Sequence, residues 1–253
     1  MIAAQLRQVF FYPNQKIKYC FILLFLCIGA LFSVTSFAMK QNALQARDTI
    51  YLQHIVATPW AKHFIMGDLS SAAFQRFLGQ DVLYLADYEK VSHMIALRFP
   101  AGDARRAFFE RYAKGAKEER LWELKQLKAA HYEIPHHKIA VNAAYTHYLL
   151  DKGKNGTLPE AVAALIPCDT LWEELGSYFQ HHVKDIAHHP YKRWIVAYSD
   201  PSFERVAQEI LHVEKKLLAQ EPQLTSAAID AYKKAANFEV KFFQAAMKEN
   251  NTH

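Results

Sequence analysis

From about Asn42 to its end, the chain repeats apolar residues at intervals of three and four, and no stretch convincingly alternates with a period of two. This pattern predicts a succession of α-helices, each with one apolar stripe, and no strand. Only 8 glycines and 9 prolines in 253 residues leave few places to turn, so the helices must be long. Where those breakers fall sets the boundaries. A first helix is expected over residues 43–56, and Pro59 restarts a short turn that carries Trp60 and Phe64. Gly67-Asp68 is a stop, and Ser70 or Ser71 caps a helix that runs to about Leu97, ended by Pro100-Ala101-Gly102. Asp103 caps a charged helix to about His131, broken by Pro135; the next covers residues 138–151 and stops in the glycines at 153 and 156. Thr157 and Glu160 form a capping box, with Pro159 in the first turn, for a helix to about Val183. Pro190 opens a helix to Tyr198, Asp200-Pro201 another to about Gln220, and Thr225 caps the last, to about Lys248. The result is a single all-α domain of about seven or eight helices.

One proline breaks the rules. Leu165-Ile166-Pro167-Cys168 lies inside the capped helix, where Pro167 removes a backbone hydrogen bond and presses on the carbonyl of Ala163. A kink, a pocket wall, a placed thiol or a tolerated packing irregularity would each account for it.

The N-terminus reads as a separate object. Lys16 and Lys18 precede an uncharged run from Tyr19 to Met39, and Ser36-Phe37-Ala38 offers small residues where a signal peptidase reads. Residues 1–38 are therefore expected to be a signal peptide that sends the protein to the periplasm or beyond. The alternatives are an uncleaved membrane anchor, or a cytoplasmic protein that starts at Met39. Any membrane association would run through this segment alone. Loss of Cys20 and Cys27 with a signal would leave Cys168 as the one thiol, reactive or simply buried. A net charge of +5 is spread in clusters mixed with acids, such as Lys114 to Glu119, which read as a solvated helix face and give no footprint for nucleic acid.

Several polar residues fall where helical spacing puts the core. Asp81, Tyr84 and Tyr88 share one side of a helix, Asn142 and Tyr145 another, and Cys168 and Trp172 are one turn apart, as are Trp194 and Tyr198. Glu239 sits among Phe238, Phe242 and Phe243, where desolvation raises a carboxyl's pKa and suits it to proton transfer. Each has a plain alternative: a surface Asp81, a Glu239 paired with Lys241, tyrosines that only fill the core.

Five segments in order carry a resemblance. They are Phe77 to Leu85, Asn142 to Thr146, Ile166-Pro167-Cys168, Pro190 to Tyr198, and Phe238 to Phe243. Together they resemble the TenA family, the thiaminase II or aminopyrimidine aminohydrolase group, over a domain of residues 42–250. The resemblance implies a heme-oxygenase-like helical bundle, a homotetramer, and no metal or organic cofactor. It also implies hydrolysis of thiamin or an aminopyrimidine to hydroxymethylpyrimidine, in thiamin salvage. By the same resemblance Cys168 is the nucleophile and Glu239 the acid/base, and Asp81 holds the ring nitrogen and amino group. Tyr84, Tyr145 and Tyr198 line the ring's slot, with Trp172 where the family usually has tyrosine. Asp169 also departs from the usual aromatic after the cysteine, and a carboxylate there raises the thiol's pKa if close.

Four other readings stand beside this one. A non-catalytic exported pyrimidine-binding protein, or an enzyme with another substrate, would fit Trp172 and Asp169. The fold relative that oxidises a pyrroloquinoline precursor is disfavoured by the cysteine and Gln-Asp segments. Glu209–His212 and Glu133–His136 have the spacing of di-iron ligands, although Pro135 interrupts the second.

Overall fold

The computed structural model describes residues 48–247. The expected leader at residues 1–38, its cysteines and its cleavage triplet lie outside the described residues, as do the start of the first helix at Ala43 and the expected last-helix end at Lys248. Within residues 48–247 no helix is long and apolar enough to cross a membrane.

Residues 48–56 are helical and lead into eight α-helices: α1 (Pro59–Met66), α2 (Ser71–Ala96), α3 (Ala104–Ala129), α4 (Ala140–Asn155), α5 (Leu158–His182), α6 (Lys192–Tyr198), α7 (Pro201–Gln220) and α8 (Thr225–Ala245). No strand occurs among the described residues. The caps follow the expected chemistry. Ser70, Asp103, Thr157 and Asp200 each accept a backbone N–H of the first turn, and Thr157 with Glu160 completes the capping box. Gly67, at φ 75°, ends α1 in the left-handed conformation, with its N–H returned to the last turn.

Three boundaries differ from expectation, each for a local reason. Gly153 does not stop α4, which runs on to Asn155. A Cβ on Gly153 would lie 2.5 Å from Val91 Cγ2, so this glycine serves the close approach of α4 to α2. Residues 190–191 stay outside α6. Thr225 is the first residue of α8, preceded by a 3-10 turn over Pro222–Leu224, whose Pro222 carbonyl accepts the Thr225 hydroxyl at 2.7 Å.

The bundle is organised around α5, which packs against α8, α7, α6 and α4, while α2 packs along α3 and α4. Its interior is strongly aromatic: Trp60 stacks on Phe64 and lies against Phe77, Trp194 and Phe243. Such rings bury large apolar areas with preferred geometry and fix how the helices register. α5 is continuous through Pro167. Where α5 meets α6 the backbones almost touch, because a Cβ on Gly176 would fall 2.4 Å from the carbonyl carbon and oxygen of Tyr198.

Candidate active site

A cavity of about 420 Å³ opens between α2, α3, α5, α6 and α7, a size that suits a small organic ligand. Of the seven residues to which the resemblance gives a role, Asp81, Cys168, Trp172 and Tyr198 line it, as do Tyr88 and Asp169. Tyr84, Tyr145 and Glu239 are packed behind its wall. Asn142 does another job: its Nδ2 donates to the Gln80 carbonyl at 2.7 Å and to Gln80 Oε1 at 3.1 Å, which ties α4 to α2.

Glu239 is 2% exposed. Its Oε1 accepts the Tyr145 hydroxyl at 2.8 Å, and its Oε2 accepts Trp172 Nε1 at 3.1 Å. Burial raises its pKa to about 7, while the two hydrogen bonds pull the other way. Trp172 thus supplies a donor at the position where the family usually has tyrosine. Among the described residues, neither Lys241 nor any other cation pairs with Glu239, whose partners are Tyr145 and Trp172.

Cys168 is half-buried at the cavity wall. Burial raises its thiol well above the ordinary value; the charges of Glu239, Asp169 and Glu119 add to this, and the adjacent Tyr84 hydroxyl opposes it. The resting sulfur is thus a thiol that needs a base. Among those charges Glu239 acts most strongly on it. Asp169 does lie close enough to raise the thiol, as its place in the sequence suggested. It accepts a short hydrogen bond from the Tyr112 hydroxyl, and the Tyr88 hydroxyl lies 3.3 Å from the same oxygen, Oδ2. Burial lifts Asp169 to about 7 against those hydrogen bonds.

Asp81 is buried beside Glu123, which is fully enclosed. Among the described residues no hydrogen-bond donor reaches either Glu123 oxygen, and the Asp81 carboxyl is its neighbour. Burial raises the Glu123 carboxyl well above its usual value, and the charges of Asp81 and Glu119 add to this. Burial raises Asp81 well above its usual value, with Glu119 and Glu239 adding to the effect, and the hydrogen bond from Glu123 moderates it. Glu119 accepts a short hydrogen bond from the Tyr198 hydroxyl. The Tyr198 ring lies 5.0 Å from Trp172 and 4.4 Å from Trp194.

Three groups went unnoticed in the sequence: Tyr112, Glu119 and Glu123. Reading Lys114 to Glu119 as a solvated face was wrong for Glu119, which lines the cavity. The signal was present. Phe108, Tyr112, Ala116, Glu119, Glu123 and Leu127 recur at four- and three-residue steps, one stripe of α3 with two acids in it. At the rim, Arg111 of α3 meets Glu209 of α7 at 3.1 Å. Glu209 is thereby engaged by a cation, while Glu133 and His136 face each other, exposed, at 3.8 Å. No group of three or more His, Cys, Asp or Glu arranged to hold a metal ion occurs among the described residues.

A family model described as the TENA/THI-4/PQQC family matches residues 48–249. The chain is 26% identical over 205 residues to an uncharacterized protein of Haemophilus influenzae, covering 78% of this chain and 94% of that one. It is 26% identical over 203 residues to an aminopyrimidine aminohydrolase of Halalkalibacterium halodurans, covering 73% and 80%. Among solved structures, a TenA homologue from Pyrococcus furiosus superposes with a TM-score of 0.75 at 16% identity, over 82% of this chain and 99% of that one. A putative TenA-like thiaminase from Sulfolobus solfataricus gives 0.63 at 17%, over 85% and 95%.

Proposed function

Because the chain belongs to the TENA/THI-4/PQQC family, we propose that it is a thiamin-salvage hydrolase that cleaves thiamin or an aminopyrimidine and releases hydroxymethylpyrimidine. The observation that carries this reading is the pairing of a cavity-wall thiol, Cys168, with a buried carboxyl, Glu239, whose pKa of about 7 lets it both take and give a proton.

The chemistry follows from the placements. Asp81 grips the amidine-like edge of the ring, and its neighbour Glu123 lets the pair adjust to the charge on that edge. Tyr198 and Trp172 flank the flat face. Glu239 takes the proton of Cys168 as the sulfur bonds to a ring carbon, and ring electrons move onto the ring nitrogen. Those electrons return to expel the group on the methylene arm: an amine leaves with the proton from Glu239, whereas the thiazole of thiamin leaves as a neutral base and that proton passes to solvent. Water then adds to the methylene carbon and yields a proton to Glu239. The carbon–sulfur bond breaks, aromaticity returns, and the thiol regains its proton.

Mass spectrometry of the protein incubated with thiamin and with aminopyrimidine tests this directly. Hydroxymethylpyrimidine is expected, with Cys168→Ala losing at least about a thousandfold in turnover while still binding the product. Tight binding with no product from the parent protein would instead identify a binding protein.

A further inference from the structure

α3 packs along α2 and α7 along α5, and the cavity opens between them. The buried stripe of α3 faces inward through Phe108, Tyr112 and Ala116. Beside that stripe, Arg111, Gly115, Glu118 and Trp122 recur at steps of four, three and four, which places them on one face of the helix. All four line the cavity, and Arg111, Gly115 and Glu118 are also exposed, so this face is part of its mouth. From α7, Phe203, Val206 and Glu209 line it at steps of three.

The mouth is tied at two ends. At one, Arg111 Nη2 donates to Glu209 Oε1 at 3.1 Å. At the other, the Tyr198 hydroxyl donates to Glu119, and its ring meets Phe203 edge-on with centres 5.2 Å apart. Arg111 and Glu119 are eight residues apart, about 12 Å along the helix axis, so a slot of that length runs between the ties. Gly115 is its midpoint, four residues from each. Packing does not require a glycine there. A Cβ on Gly115 would have no atom within 4 Å beyond its chain neighbours and its own helix's nearby backbone, whereas one on Gly153 or Gly176 would collide. Glycine also weakens a helix interior more than any residue but proline. The space that this glycine leaves belongs to the mouth.

We propose that ligands reach Cys168 through this slot, and that the missing side chain of Gly115 sets the size of molecule that passes. The Arg111–Glu209 pair is the bar across the outer end. Both partners are exposed, so the tie is weak and screened by salt, and it opens readily. The route belongs to the cavity and holds for whichever small molecule it takes.

Alkylation of the full chain by iodoacetamide and by the flat-ringed N-phenylmaleimide tests the route, with the rate at Cys168 read by peptide mass spectrometry. Gly115→Phe should slow the maleimide at Cys168 by at least about tenfold, and the smaller reagent less. Gly115→Ala should leave both rates within about twofold of the parent while raising the melting temperature, which separates passage from helix stability. Glu209→Gln should speed the maleimide by up to about fivefold, and added salt should do the same in the parent but not in the variant. Where Gly115→Phe does not fold, Val206→Trp sets a comparable obstruction on the opposite helix. Equal slowing of both reagents would mean that the sulfur changed and its access did not. That outcome, unchanged rates, or a Cys168 that reacts only in the denatured chain would overturn the proposal. Neither reagent is a pyrimidine, so a protein that releases no hydroxymethylpyrimidine would lose the hydrolase assignment and keep the route.

Discussion

Trp172 shows how much one side chain decides. Its indole N–H holds Glu239 Oε2, and Tyr145 holds Oε1, so the two donors keep the carboxyl's pKa near 7 against its burial. A hydrogen bond to a charged group contributes about 1.5–3 kcal/mol, and about 1.4 kcal/mol corresponds to one pKa unit. Trp172→Phe keeps the aromatic wall and removes the donor, so Glu239 should titrate at least about one unit higher. In the proposed mechanism Glu239 takes the thiol proton in its ionised form, so the rising limb of the rate–pH profile should move to higher pH, with about tenfold less activity near neutrality. A limb that stays in place would remove Glu239 from the base's role. At this scale the sequence was legible where a polar residue interrupted an apolar run, as at Glu239. It was mute on partners, since nothing local says that Trp172 and Tyr145 meet on one carboxyl.

The helices carry a second layer of information. Their number, order and most of their caps could be read from apolar spacing and from Ser, Thr, Asp and Pro at the starts. α3 could not be read fully, because its lysines and glutamates look solvated in sequence and only the stripe through Tyr112, Glu119 and Glu123 separates cavity from solvent. Close helix approaches were equally hidden, since a glycine can mark a stop or a contact. Gly176 is a contact: α5 and α6 meet there with backbone against a missing side chain. Gly176→Ala should push α6 outward and carry Tyr198 off Glu119. Overpacking of this kind costs about 1–3 kcal/mol, a drop in melting temperature of roughly 2–12 °C, accompanied by weaker ligand binding. Unchanged binding would show that the position of α6 does not shape the cavity.

Over the whole molecule, burial of acids has its own signature. Asp48, Asp169 and Glu239 have pKa values raised to about 8, 7 and 7. Between their ordinary values near 4 and these raised ones, the folded chain binds more protons than the unfolded chain, so stability falls as pH rises through that window and levels off above it. For Glu239 alone the full effect is about 3 kcal/mol. Thermal melts should therefore give a higher midpoint at about pH 5 than at about pH 8.5, the reverse of a protein whose carboxyls are salt-bridged. A midpoint that rises with pH would mean that these acids are ionised and paired in solution. The same interior distributes its indoles unevenly. Trp60 and Trp194 are sealed in the aromatic core, whereas Trp122 and Trp172 look into the cavity. The protein thus carries its own optical reporter. Two of its four fluorophores give a steady background, and the other two, one of them hydrogen-bonded to a carboxyl that titrates near neutrality, register what enters the cavity and which charge Glu239 bears.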